Sequence, residues 1–256
     1  DSSTSRGLGD VYKRQVLVGA GGFASEFSDA LEYDLLLRLI EDGGLNGLAH
    51  LDEPLLISSA PHVRENEHAR QALVRHLGKR GYKAQVSSPV LGTLRIDYRH
   101  LERPQVSIIL RSEDNLGVLQ RCLESVLQRT RYLRYEVLIA DNASQSPQQL
   151  QWLEHLQQQG GRVRVLHSPQ RLSNAALVNA ASVEATGEYL VLLAADAEVV
   201  NANWLELLLN QAQRPEVGVV GAKLVDAGGK VSQGGLMLGR DGRIHAAYVG
   251  LGKDEG

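Results

Sequence analysis

From about residue 104 onward, short apolar runs alternate with stretches in which apolar residues return every three or four positions. The run Val106–Leu110 has the length and β-branched content of a strand covered on both faces. Leu116, Leu119, Leu123, Val126 and Leu127 then recur at helical spacing, with Cys122 beside them. The pattern continues with a strand at Tyr135–Ala140, a helix around Gln148–Gln158, a strand at Arg162–His167, a helix at Ala175–Ala185 and a strand at Tyr189–Leu193. Another helix begins near Asn203-Trp204. Such alternation predicts an α/β fold with a mostly parallel, Rossmann-like sheet.

The part before residue 104 is less regular. Leu31, Leu35, Leu36, Leu39 and Ile40 mark a helix ended by Gly43-Gly44. His50–Ser58 reads as a short strand with a turn at Pro54. Ala69, Leu73 and Leu77 share one face of a helix expected over Asn66–Arg80, with short strands to follow at Ala84–Val86 and Thr93–Tyr98. Residues 16–59 and 60–103 are therefore read as a smaller α+β segment and a linker carrying a helix and two strands. Residues 1–15 lack apolar periodicity and are read as a non-native leader outside the fold.

Composition narrows the function only a little. A charged fraction of 22% beside 43% hydrophobic residues is that of a folded globular chain rather than a disordered one. The formal net charge of −3 gives no basic field for a nucleic acid, and Arg129, Arg131 and Arg134 read as solvated helix-end charges. A single cysteine fits a reducing, cytoplasmic setting, and Cys122 reads as a small core hydrophobe. The longest apolar run, around Tyr189–Ala195, is of strand length and far short of a membrane span.

Open parallel sheets bind ligands beyond the carboxyl ends of their strands. Three predicted strand ends here carry small polar or acidic residues: Ser112 and Asp114, Asp141 and Asn142, Asp196 and Glu198. A carboxylate beside a nucleobase can accept an imide N–H, and one beside a diphosphate can ligate a divalent cation through oxygen. The pattern makes a nucleotide site plausible without naming a reaction.

The strings Gln105-Val-Ser-Ile-Ile-Leu, Arg121-Cys-Leu-Glu-Ser-Val-Leu, Tyr135-Glu-Val-Leu-Ile-Ala-Asp-Asn-Ala-Ser and Gly187-Glu-Tyr-Leu-Val-Leu-Leu resemble those of family 2 glycosyltransferases. So do Asp196-Ala-Glu-Val, Trp204-Leu-Glu and Arg214-Pro-Glu-Val-Gly-Val-Val-Gly-Ala-Lys-Leu, in the family's order. The resemblance is to bacterial enzymes of O-antigen and related surface-polysaccharide synthesis. It implies a GT-A fold over residues 104–256, truncated at its C-terminus, and inverting transfer from a UDP- or dTDP-sugar to a glycan or lipid-linked glycan at the inner face of the membrane. It places Ser112, Asp114, Asp141 and Asn142 around the nucleotide. Asp196 matches the last aspartate of a DxD motif binding Mg²⁺ or Mn²⁺, with Glu198 as a helper. Two positions depart: Ala194 stands at the first DxD place, and Arg111 replaces a proline.

Gly21-Gly22-Phe23 followed by Leu31-Glu32-Tyr33-Asp34-Leu35 and Arg38-Leu39 resembles the same family's acceptor region, with Glu32 at the place of the catalytic aspartate. Residues 16–59 would then end an upstream glycosyltransferase domain, and the chain would straddle the junction of a tandem enzyme. A competing reading takes Val16–Ala24 as a strand entering a dinucleotide fingerprint, with Glu41 as the ribose-binding acid. His245 is read as structural. A non-catalytic nucleotide-binding or scaffolding module is the alternative from another class. A nucleotidyltransferase would need a Gly-rich loop after the first strand, where Arg111-Ser-Glu-Asp-Asn stands.

Overall fold

The computed structural model describes residues 11–49, 55, 57, 64–112, 115–238 and 242–253. Two compact units emerge: His100–Gly221 is one, and the described residues up to Arg99 with those from Ala222 onward are the other.

In the first unit, α1 (Arg14–Gly19) precedes α2 (Leu31–Gly43) and α3 (Glu67–Lys79), followed by β1 (Gln85–Ser87) and β2 (Arg95–Asp97). The Asn66 side chain caps α3 by accepting from Ala69 N–H, as a helix start requires. Helices α2 and α3 share one core: Phe27, Ala30, Ala69 and Ala72 meet Tyr33 and Leu37, which also touch Leu73, Leu77, Val86 and Tyr98. The described residues of these two stretches, up to Arg99, thus pack as one body, where the sequence suggests a segment and a linker. Asp34 is fully buried, and its carboxylate accepts from Arg38 Nε at 2.9 Å and from Arg75.

The dinucleotide-fingerprint reading is corrected here. Val16–Gly19 lies in helix α1, not in a strand, so there is no strand to feed a phosphate-binding turn. Glu41 is also committed elsewhere: its carboxylate meets His76 Nδ1 at 2.8 Å and Lys79 Nζ at 2.9 Å, pinning α2 to α3. The strand expected at His50–Ser58 lies outside the described residues, apart from two isolated positions.

The second unit carries the α/β pattern: β3 (Val106–Ser112), α4 (Leu116–Arg129), β4 (Tyr135–Asp141), α5 (Pro147–Gln159), β5 (Val163–His167), α6 (Asn174–Glu184), β6 (Tyr189–Leu193) and α7 (Trp204–Ala212). The strands form one parallel sheet in the order β5-β4-β3-β6. Because β3 and β4 are buried on both faces, their middles, Ile108–Leu110 and Val137–Ala140, are unbroken apolar runs. Alternate side chains serve opposite layers. Ile108, Leu110, Val137 and Ile139 pack on α4, α5 and α7, while Ile109, Leu138 and Ala140 meet Leu177 and Ala181 of α6. Asn115, Ser146 and Ser173 cap the three helices that leave the strand ends.

Beyond Gly221 come β7 (Leu224–Val225), β8 (Val231–Gln233), β9 (Leu236–Leu238) and β10 (Ile244–Ala246), paired antiparallel as two hairpins. These residues group with the first unit, whereas the sequence places them in one domain with residues 104–221. Among the described residues, no helix is long and apolar enough to cross a membrane.

Candidate functional site

Register fixes what gathers at the carboxyl edge of the four-stranded sheet. Ser112 on β3 lies opposite Asp141 on β4, and Asp141 lies opposite His167 on β5. On the other side of β3, Leu110 pairs with Leu193, so Ala194–Asp196 continues past the same edge. Strand order reverses between β3 and β6, which makes this the switch point where open α/β sheets bind ligands. Asp141 and Asp196 therefore share one rim, their strands separated by β3 and so by about 10 Å.

The β4 side of the rim is a hydrogen-bonded chain. Ala143 adopts a left-handed conformation (φ 54°), which turns Ser144 back so that its hydroxyl donates to Asp141 Oδ1 at 2.5 Å. Gln149 Nε2, on the first turn of α5, donates to Ser144 Oγ and to Ser112 Oγ, both at 2.7 Å. His167 Nδ1 lies 3.3 Å from Asp141 Oδ2. Ser112, Ser144, Gln149 and Asp141 are all buried. Asn142 sits one residue further on and clips the loop before α6: its Nδ2 donates to Leu172 O at 3.0 Å, and Leu172 N–H donates to its Oδ1 at 2.8 Å. Removing both bonds in Asn142→Ala should cost about 2 kcal/mol, read as a lower unfolding midpoint and faster amide exchange at Leu172.

The β6 side is held differently. The loop after β6 is stapled to α4 along its length. Cys122 Sγ donates weakly to Ala194 O at 3.6 Å, Val199 N–H donates to Ser125 Oγ at 3.1 Å, and Arg129 Nη1 donates to Val199 O at 2.7 Å. Trp204 Nε1 then donates to Thr130 Oγ1 at 2.9 Å. Asp196 is left exposed on this braced loop. Burial, with the Asp196 carboxylate nearby adding to it, pushes the Cys122 thiol up to about 11, so Cys122 is a protonated core group as its helical spacing suggests. Glu198 is ion-paired to Arg129 at 2.8 Å.

Among the described residues of the rim, Asp196 offers an exposed carboxylate for a divalent cation, Glu198 being exposed but paired with Arg129, and the described residues hold no cluster of three or more His, Cys, Asp or Glu suited to one. One carboxylate fits a cation that takes its other ligands from phosphate oxygens and water. Glu198 would have to leave Arg129 to join it. The other candidates belong to the other unit or fall outside the described residues. Asp114 falls outside the described residues. Glu32 is in the first turn of α2 and His245 in β10, both in the other unit.

Gln149, Ser144 and His167 are the rim residues that the sequence reading missed. His167 was within reach, since the strand expected over Arg162–His167 ends on it and neighbouring parallel strands end at one edge. Gln149 had no such signal, being one of several glutamines in a helix.

The family described as Glycosyl transferase family 2 matches residues 107–247, more than half of the chain. The chain belongs to that family. It is 34% identical over 258 residues to the uncharacterized protein y4gI of Sinorhizobium fredii, covering 94% of this chain and 28% of that protein. It is 35% identical over 247 residues to the O-antigen biosynthesis protein RfbC of Myxococcus xanthus, covering 91% of this chain and 19% of that protein. The chain thus spans under a third of either relative's length. Among solved structures it is similar to the mannosyltransferase PcManGT from Pyrobaculum calidifontis in complex with GDP-Man and Mn²⁺, at 22% identity, 46% of this chain, 35% of that chain and a TM-score of 0.42.

Proposed function

We propose that the His100–Gly221 unit binds a nucleotide-diphospho-sugar across its rim, as the donor half of an inverting glycosyltransferase that extends a surface polysaccharide. The observation carrying this reading is the parallel register that brings Ser112, Asp141 and Asp196 to one edge, on both sides of the switch point. The nucleobase lies on the β4 side, where the buried polar chain ends, and the diphosphate on the β6 side beside Asp196. A Mg²⁺ or Mn²⁺ held by Asp196 would offset the charge that develops on the leaving diphosphate. In-line attack by an acceptor hydroxyl needs a carboxylate base. In the first unit Glu32 is the residue proposed for that role, at a separate acceptor site of the tandem protein. The O-antigen relative supports a glycan or lipid-linked glycan acceptor. Cytoplasmic action at the inner membrane face belongs to the same proposal.

Calorimetry of the chain with UDP and dTDP, with and without Mn²⁺, tests it. Binding should tighten at least tenfold with Mn²⁺, and Asp196→Ala should abolish that gain while leaving metal-free affinity within about twofold. The rival, a nucleotide-binding module without metal chemistry, is favoured by Ala194 and by the Arg129–Glu198 pair. Metal-independent binding would select it, and no nucleotide binding at all would sink the donor reading and leave a scaffolding module.

A further inference from the structure

We infer that Arg111 binds the donor diphosphate and gives this chain a hold on it that needs no metal, beside the place left empty of charge by Ala194; this rests on the donor reading above. Arg111 and Ala194 are the two departures from the family pattern, far apart in sequence, and register makes them neighbours. Leu110 pairs with Leu193 in the parallel ladder between β3 and β6, so the next residues, Arg111 and Ala194, stand side by side about 5 Å apart. They also share a face. Leu110, Leu193 and Ala195 turn into the core that holds α4, α5 and α7, so alternation sends Arg111 and Ala194 to the other side of the sheet, in line with Ile109 and Leu192. Helix α6 covers that side over Ile109, whereas Leu192 is 63% exposed. Arg111 is half-buried and Ala194 exposed, so the arginine stands beside an open strand end.

The chemistry follows from the pair. A carboxylate at position 194 would lie against Arg111 and take up its guanidinium as an ion partner. Alanine removes that competitor and leaves room beside the charge. A guanidinium is charged at any working pH, and its N–H groups form a fork that matches two phosphate oxygens. Asp196 follows Ala194 by two residues, at most about 7 Å of chain, so one diphosphate can meet Arg111 and a cation on Asp196 together. The two supports differ in kind. Arg111 attracts phosphate with or without metal, whereas Asp196 repels it until a cation lies between them.

The test is calorimetry of UDP and uridine on the whole chain, in EDTA and in Mn²⁺. In EDTA, wild type should bind UDP at least about tenfold tighter than uridine. Arg111→Ala should lose about tenfold in UDP affinity in EDTA, with uridine within about twofold of wild type and the Mn²⁺ gain on UDP still present. Arg111→Lys, which keeps the charge without the fork, should recover only part of the loss. Ala194→Asp leaves Arg111 in place and should likewise weaken UDP in EDTA, while enlarging the gain from Mn²⁺. UDP affinity in EDTA within about twofold of wild type in Arg111→Ala overturns the inference and leaves the donor reading standing. Equal losses of UDP and uridine in that variant also overturn it, because uridine has no phosphate to lose. An unchanged EDTA affinity in Ala194→Asp does the same, whether or not the Arg111→Ala variant folds. Failure of wild type to bind UDP in either condition removes the donor reading itself, and this inference with it.

Discussion

Gly187→Ala is expected to destabilise the His100–Gly221 unit by about 3 kcal/mol, at the upper end for an overpacked site. An added Cβ would lie 2.5 Å from Ser107 N and 2.8 Å from both Ser107 Oγ and Val106 C. Two of those atoms are backbone of β3, which is hydrogen-bonded on one side to β4 and on the other to β6. Neither ladder can shift without straining the other. Nor can the Ser107 side chain rotate out of the way, because its Oγ accepts from Gly187 N–H at 2.8 Å and donates to Glu136 at 2.7 Å. Gly187 does not have a positive φ, so the glycine is needed for close approach and not for an unusual torsion. Denaturant unfolding, with amide exchange across β3 and β6, checks this. A variant within about 0.5 kcal/mol of wild type would mean that the turn before β6 can lift off β3.

That glycine shows how much of this fold a single sequence discloses. Gly187-Glu-Tyr is visible as part of a family-like string, but the reason for the glycine lies 80 positions away in Ser107. Strand β3 was legible because burial on both faces forces a long apolar run; β6 carries such a run although Leu190 and Leu192 are exposed, and its observed bounds, Tyr189–Leu193, are those the pattern predicts. Helix α1 was misleading for the opposite reason: Val16-Leu-Val-Gly is too short a run for periodicity to separate a buried strand from a helical turn. At the site, the rim aspartates were legible from strand-end position alone. Their burial was not: Asp141 is enclosed and Asp196 exposed, and that difference depends on Ser144 and His167 closing on the carboxylate, with Gln149 holding Ser144. The pairing of Glu198 was equally hidden, since its partner Arg129 stands among arginines that look merely solvated.

Glu136 has the second large effect, and it brings pH into the stability of the sheet. Its carboxylate is nearly enclosed at the start of β4, and it accepts from Ser107 Oγ at 2.7 Å, Thr186 N–H at 2.8 Å, Thr186 Oγ1 at 2.7 Å and Arg164 Nη1 at 3.0 Å. Burial alone would push the carboxyl up. The four donors outweigh it and bring it down to about 2, from an ordinary 4.5. A depressed folded value means that the ionised group stabilises the fold in full above pH 4.5, and that this contribution drains away as pH falls from 4.5 toward 2. The drop corresponds to about 3 kcal/mol. Glu136→Ala should therefore cost about 3 kcal/mol at pH 7, since it strands a buried hydroxyl and a backbone N–H as well as an arginine. The gap between variant and wild type should narrow by most of that amount by pH 2.5. Parallel stability curves across this range would show that the donors find water instead and that the carboxylate is dispensable. Because Ser107 belongs to both sites, combining Glu136→Ala with Gly187→Ala should cost clearly less than the sum of the two, whereas independent sites would add.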